Sequence, residues 1–323
     1  MPSPPIRILP RIRRATEAAE PIVALESSVL AQGLPAPHNA EAARLMTSTV
    51  EATGAVPAIT AVVRGQLTLG LEDAELTRFL AGTNVRKVSA RDLGAAIAQR
   101  ADGATTVAGA LVIAHAVGIK TLATGGIGGV HRRLPDPRGT ESAGSSYSSH
   151  ASNSVVDESA DLAELARTPM VVVCAGAKSI LDLPATWERL DTLGIPVIGV
   201  GTDEFPAFYS ARTGIGLPVS VDHAEEVARI AAAHFALGRP QAVLVVQAPP
   251  ANTALDADLV ERAVRAALDR AGREGTRGGE VTPVLLAEVS RQTDGKSLKT
   301  NLALLEANAR LAAQIAVELG ARC

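Results

Sequence analysis

Short runs of apolar, β-favouring residues alternate along this chain with longer stretches whose apolar positions recur every three or four residues. The runs Ile22–Val29, Ala58–Val63, Thr121–Thr124, Met170–Ala175, Pro196–Val200 and Ala242–Gln247 predict strands. The stretches Asn39–Ala52, Thr105–Ala116, Val221–Ala236, Ala257–Ala271 and Leu298–Leu319 predict helices. A strand that reads as an unbroken apolar run is covered on both faces, and strands separated by helices pair in parallel. The pattern predicts an α/β protein: a mainly parallel central sheet with helices on both faces, in α/β/α layers. Pro35 and Pro37 punctuate the approach to the first helix, and Ser220 or Asp222 is placed to cap the third. No repeat or long linker divides residues 1–323, so a single large domain is expected. Two segments stand apart from the pattern. Residues 1–18 read as a basic, Pro-containing N-terminal arm. Residues 133–155 read as an inserted Ser-rich loop, in which Gly139–Ser154 holds seven serines.

Composition narrows the class. Hydrophobic residues make up 47% of the 323 but aromatics only 2%, so the core must be built from Ala, Val, Leu and Ile. A net charge of −3 with few aromatics argues against a nucleic-acid polymer as partner. Two cysteines, Cys174 and Cys323, are too few for a disulfide framework or a zinc cluster, and Cys174 in its Val run reads as a buried structural thiol. Arg, Asp, Glu or His interrupts every long apolar run, so no membrane partner is expected. The N-terminus carries Arg7, Arg11, Arg13 and Arg14 and four prolines in its first ten residues, without the apolar core of a secretory signal. A cytoplasmic protein is the expectation.

Candidate chemistry starts from a shortage. The chain has five lysines against 26 arginines, so positions that keep Lys are candidates for needing an amine that can lose its proton and attack carbon. Lys178 follows the apolar run from Met170 and is expected to open a helix at Ser179. The C-terminal edge of a parallel sheet is where such folds place their chemistry; the alternative is a lysine that only pairs with a carboxylate. Glu26 interrupts an apolar strand, where burial would suit a proton donor; the alternative is a solvent-facing edge position. The loop Thr124-Gly-Gly-Ile-Gly-Gly-Val130 fits neither the dinucleotide fingerprint nor a phosphate-binding Walker loop, and reads either as a tight turn or as a close approach to a ligand. Asp157 and Asp161 have the spacing of one helix face, where a divalent cation could dock or where acidic residues simply favour a helix start. His115 and His234 read as structural.

Taken together, the motifs resemble a known family. They are Val23-Ala-Leu-Glu-Ser, Gln32-Gly-Leu-Pro, Gly54-Ala-Val-Pro-Ala, Lys87-Val-Ser-x-Arg-Asp-Leu, Gly103-Ala-Thr-Thr-Val-Ala and Ala123-Thr-Gly-Gly-Ile-Gly-Gly-Val-His-Arg132. Asp157-x-Ser-Ala-Asp-Leu162, Val172-Val-Cys-Ala-Gly-Ala-Lys-Ser-Ile-Leu-Asp182 and Ser297-Leu-Lys-x-Asn301 complete the set. In this order they resemble the pseudouridine-5′-phosphate glycosidase (pseudouridylate synthase) family, related to indigoidine synthase A type proteins. The resemblance implies reversible cleavage of the C-glycosidic bond of pseudouridine 5′-phosphate, a small-molecule nucleotide, to uracil and ribose 5-phosphate. It implies Lys178 as the nucleophile that forms a covalent adduct with ring-opened ribose, and Glu26 as proton donor. It further implies Lys87, Val107, Ser159, Ala160, Asp161, Asn301 and His131 as substrate contacts, Asp157 as ligand of one Mn2+ per subunit, and a homotrimer. The chain departs from the family at 133–155, which is longer than usual and lies beside Asp157. A Schiff-base lyase or aldolase acting on another sugar phosphate, or a non-catalytic indigoidine-cluster relative, would share much of this pattern.

Overall fold

The computed structural model describes residues 5–132, 157–275 and 281–321. Its first half runs β1 (Arg7–Ile8), α1 (Pro10–Glu17), β2 (Ile22–Leu25), α2 (His38–Ala52), β3 (Val56–Val63), β4 (Gln66–Leu69) and α3 (Asp73–Ala81). It continues with β5 (Val85–Val88), α4 (Leu93–Ala98), β6 (Asp102–Thr105), α5 (Val107–His115) and β7 (Thr121–Ala123). Beyond residue 156 come α6 (Ala160–Leu165), β8 (Val171–Cys174), α7 (Leu183–Thr192), β9 (Val197–Val200), β10 (Ser220–Val221) and α8 (Ala224–Ala236). The last elements are β11 (Val243–Val246), α9 (Ala257–Glu274), α10 (Val281–Gln292) and α11 (Lys296–Gly320).

The main sheet is parallel throughout, in the order β3-β2-β7-β8-β11-β9-β10. Its central strands are short and apolar because both faces are covered: Val171, Val172 and Val173 are fully buried, each worth about 1.5–3 kcal/mol relative to exposure. The long strand β3 serves two sheets. Its first half, Val56–Ile59, pairs with β2, and its second half turns antiparallel to β4 and β6. β5 joins β6 and β1 joins β4, both in parallel, which completes a side sheet. The predicted mainly parallel α/β architecture is therefore the observed one, and among the described strands antiparallel pairing is confined to the partners of β3. Helix α11 lies across β2, β7 and β8 with α2 and α8 beside it, while α5 covers β2, β3, β4 and β6.

A buried polar knot joins the two sheets. Ser27 Oγ donates to the Thr60 carbonyl (2.7 Å) and accepts from the Thr105 amide (2.9 Å), and the Thr60 and Thr105 hydroxyls meet at 2.7 Å. Thr60 Oγ1 also donates to the Leu25 carbonyl at 3.1 Å. Satisfied groups of this kind hold the ends of β2 and β6 and the middle of β3 in one geometry, and so fix the side sheet relative to the main one.

Two expectations change. Within the 1–18 segment, residues 7–17 pack into the body: β1 pairs with β4, and α1 buries Ile12 and Ala15. Pro10 starts α1 where a missing N–H costs nothing, and Arg7 and Arg11 pair with Glu75 and Glu51 at 2.6 and 2.5 Å. Neither Ser220 nor Asp222 caps α8. Both Ser220 and Val221 belong to β10, and His223 is the cap residue, with the Glu226 carboxylate accepting from its amide at 3.2 Å. Cys174 is fully buried, which pushes its thiol up to about 12. His234 Nε2 donates to the Gln241 carbonyl, 3.0 Å away, in a structural role. The serine-rich segment 133–155 lies outside the described residues.

Candidate active site

Strand register decides which groups meet. Leu25 of β2 pairs with Ala123 of β7, and Ala123 pairs with Val173 of β8. The next residues, Glu26 and Thr124, therefore emerge side by side at the C-terminal edge of the sheet. β2 ends at Leu25, so Glu26 is the first residue past the strand rather than a break within it. It is 5% exposed, which rules out the solvent-facing alternative. Ser28 Oγ donates to Oε2 at 2.5 Å and the Thr124 hydroxyl donates to Oε1. Both carboxylate oxygens are thus satisfied by hydroxyls, which offsets the desolvation that a buried acid suffers.

Lys178 arrives by a turn. Gly176 has φ +78°, and the Pro206 carbonyl fills the space that a Cβ there would need. Beyond it the chain runs extended beside the glycine loop, with the Lys178 amide donating to the Ile127 carbonyl at 3.1 Å. The expected helix at Ser179 does not form. Asp182 caps Ala185 and Pro184 occupies the first turn, so α7 starts at Leu183. Among the described residues Lys178 has no carboxylate within ion-pair distance, against the alternative that it serves only as a salt-bridge partner.

Two chambers open from this edge and share Ser28, Gln32, Lys87 and Lys178. The inner one adds Glu26, Gly125, Gly126, Phe208 and Asn301. The outer one has a volume of about 630 Å3, in the usual range for small-molecule sites, and adds His131, Asp157, Ser159, Ala160 and Asp161. Lys87 comes from β5 in the side sheet. Desolvation in the site, with the Lys178 ammonium second, holds its pKa below the usual lysine value, against the opposing pull of Asp161 and Glu26. Asn301, on α11, is 4% exposed, and its Oδ1 has no hydrogen-bond partner. Val107 starts α5 after the cap residue Thr106, which lines the outer chamber. The amides of Ala108 and Gly109 are held by Asp161 Oδ1 (2.9 Å) and Thr106 Oγ1 (3.4 Å), and Val107 itself is buried and is not among the residues that line either chamber.

The acidic knot is not one helix face. Ser159 caps α6, so Asp157 lies before the helix and bridges to His131 instead. The Asp161 carboxylate accepts from the Ala108 and Gly128 amides, both at 2.9 Å, and so ties α5 to the glycine loop; what it brings to the chamber is shape. In that loop Gly125, Gly126, Gly128 and Gly129 all lack positive φ. They are small for contact: a Cβ on Gly128 would collide with Ser159, and one on Gly126 would lie 2.6 Å from the Phe208 ring. The loop combines the two readings, since Gly125 and Gly126 also line the inner chamber.

For a metal, the donor set is small. Asp157 Oδ2 is 3.3 Å from His131 Nδ1 with its side chain largely exposed, whereas Glu158 is held by Arg189 at 3.0 Å. Among the described residues no group of three or more His, Cys, Asp or Glu is arranged to hold an ion. One exposed carboxylate fits a hydrated, oxygen-preferring divalent cation as a single ligand, and does not fit a dehydrated all-protein cage.

Ser28, Thr124, Gln32 and Phe208 are absent from the sequence-based candidates. The hydroxyls carried a faint signal, as polar residues just beyond apolar strand ends. Phe208 carried none: it holds a left-handed backbone (φ +64°), unusual for an aromatic and typical of functional sites, and walls the inner chamber.

The model of the "Indigoidine synthase A like protein" family matches residues 11–318. A protein named pseudouridine-5′-phosphate glycosidase from Gemmatimonas aurantiaca is 58% identical over 94% of this chain and 93% of its own length. One of the same name from Myxococcus xanthus is 49% identical over 97% of each. Among solved structures, the prealnumycin C-glycosynthase AlnA in complex with ribulose 5-phosphate superposes with a TM-score of 0.85 at 36% identity, covering 99% of both chains. An indigoidine synthase A-like protein of Thermotoga maritima gives the same TM-score at 30% identity, covering 99% of this chain and 98% of its own.

Proposed function

Because the chain belongs to the indigoidine synthase A-like protein family, we propose that it is a pseudouridine-5′-phosphate glycosidase. It reversibly cleaves the carbon–carbon bond between ribose and base in pseudouridine 5′-phosphate, with water, to uracil and ribose 5-phosphate. The observation that carries this reading is the meeting of Glu26, Lys178, Lys87 and Asn301 around one inner chamber that continues into a larger polar one. The pentose phosphate in the AlnA complex supports a sugar phosphate in that space.

Carbon is a poor leaving atom, so two carboxylates alone would expel the base slowly, and an amine offers a second route. Lys178 passes a proton to Glu26, which gives it to the ribose ring oxygen as the freed amine bonds to C1′ and the C1′–O4′ bond breaks. The adduct nitrogen then loses a proton to the Glu26 carboxylate, and that proton is passed on to C5 of the uracil. The nitrogen lone pair forms C1′=N as the C1′–C5 pair leaves with the base. Water adds to the imine, ribose 5-phosphate departs and the amine is restored. Ser28 and Thr124 hold the Glu26 carboxyl in place. Lys87 and the backbone at the start of α5, where Thr106 lines the outer chamber and Val107 follows it, grip the phosphate. The Ser159–Asp161 turn, with His131 beside it, shapes the outer wall. Asn301 reads the uracil amide edge, which offers donors and acceptors to its free carboxamide. Asp157, with water completing the shell, would hold a manganese ion, which when bound supplies positive charge to the outer chamber. A homotrimer in the cytoplasm completes the proposal; no described helix is long and apolar enough to cross a membrane.

The test is release of free uracil from pseudouridine 5′-phosphate by the wild type and by Lys178→Ala, each with manganese and with a chelator. Uracil from the wild type, at least about 1,000-fold faster than from the variant, is the expected result. Loss of the wild-type rate in chelator would support the metal. No uracil from folded, manganese-supplied wild type would remove the glycosidase assignment and leave the lyase or aldolase reading of the same lysine.

A further inference from the structure

Gln32 sits on a five-residue π-helical turn, Val29–Gly33, between β2 and α2, a local distortion that often marks functional sites. Its Nε2 donates to the Val85 carbonyl at 3.0 Å. That bond fixes the carboxamide, because exchanging its oxygen and nitrogen would set two carbonyl oxygens against each other. Oε1 is consequently held as an acceptor, and it is buried with no partner. A buried, unpaired acceptor is unfavourable unless a donor arrives when the site fills.

The identity of that donor follows from position. Gln32 is one of four residues that line both chambers, with Ser28, Lys87 and Lys178. A ligand that occupies both chambers therefore lies against these four. A base-to-phosphate ligand places its pentose there. Phosphate offers no donor at neutral pH, whereas a pentose offers secondary hydroxyls. Asn301 Oδ1, the other unpaired acceptor of the inner chamber, is available for the base.

Resting on the glycosidase reading, we propose that Gln32 Oε1 accepts a hydrogen bond from a secondary hydroxyl of the pentose phosphate, and so selects ribose over deoxyribose. Gln32 is a specificity-determining residue of the ribose subsite, and its loss should weaken sugar recognition more than it alters the chemical step.

The experiment compares ribose 5-phosphate with its 2-deoxy and 3-deoxy analogues by calorimetry, in the wild type and in Gln32→Leu and Gln32→Met. The wild type should lose about 10-fold or more in affinity for one deoxy analogue. Both variants should bind ribose 5-phosphate and that analogue within about 3-fold of each other, with melting temperatures near that of the wild type. Equal wild-type affinity for all three sugars would overturn the proposal without reference to any variant. A deoxy penalty that persists unchanged in both variants would overturn it too, as would weakened uracil binding with intact sugar discrimination. These readouts do not depend on turnover, so a protein that binds pentose phosphates without releasing uracil would lose the glycosidase reading and still decide the role of Gln32.

Discussion

Lys87 shows how a single side chain can tie ligand affinity to pH. Desolvation and the nearby Lys178 lower its pKa in the open site. A bound phosphate dianion would favour the charged amine and raise that pKa again. Binding therefore takes up protons at alkaline pH, and the affinity for ribose 5-phosphate should fall as pH rises through the lowered pKa of Lys87. Calorimetry in buffers of different ionisation enthalpy should show this uptake, and Lys87→Arg, which stays charged, should abolish it. A pH-independent affinity in the wild type would remove Lys87 from the phosphate grip. The scarcity of lysine made Lys178 visible in the sequence, the motif Lys87-Val-Ser-x-Arg-Asp-Leu brought in Lys87, and an acid in an apolar run exposed Glu26. Their hydrogen-bond partners gave no such signal. Thr124 touches Glu26 across 98 positions of chain, and nothing local to either residue encodes that contact.

Among the strands, the short polar ones escaped sequence reading. β5 (Val-Arg-Lys-Val) and β6 (Asp-Gly-Ala-Thr) contain no apolar run, and Gly103 is needed because a Cβ there would lie 2.5 Å from Val88. Yet these strands carry Lys87 and lead into Val107. Their placement against the main sheet depends on the Ser27–Thr60–Thr105 knot, where every hydroxyl has a partner. Thr105→Val leaves the Thr60 hydroxyl with one partner fewer in a buried site and should destabilise the protein by about 1–3 kcal/mol in urea unfolding. The Thr60→Val and Thr105→Val double variant should lose clearly less than the sum of the two single variants, because both hydroxyls of the pair are then gone. Additive losses would mean that the hydroxyls act independently and that the knot does not hold the two sheets in register.

The assembled chain places Glu26, Thr124 and Lys178 at the ends of three neighbouring strands, β2, β7 and β8, with α11 packed across the same three. Asn308 of α11 donates to the Thr124 carbonyl at 2.8 Å and accepts from Gln247 at 2.9 Å, so one helix steadies the strand ends beneath the chambers. The proposed trimer is checked by light scattering on the purified protein, which should give three times the 33.2 kDa chain mass; the mass of a single chain would withdraw it. The α/β class, the order of the principal helices and strands, and the candidacy of Glu26, Lys87 and Lys178 were all legible in the amino-acid order. Apolar periodicity is a property of neighbouring positions and residue scarcity one of composition, and neither depends on how the chain folds. The incorporation of residues 7–17 into the body, the twofold use of β3 and the clasp of Thr124 on Glu26 emerged only on folding. Each depends on register and close approach between segments far apart in sequence, where the partner that satisfies a buried group is chosen by packing and not by the residues beside it.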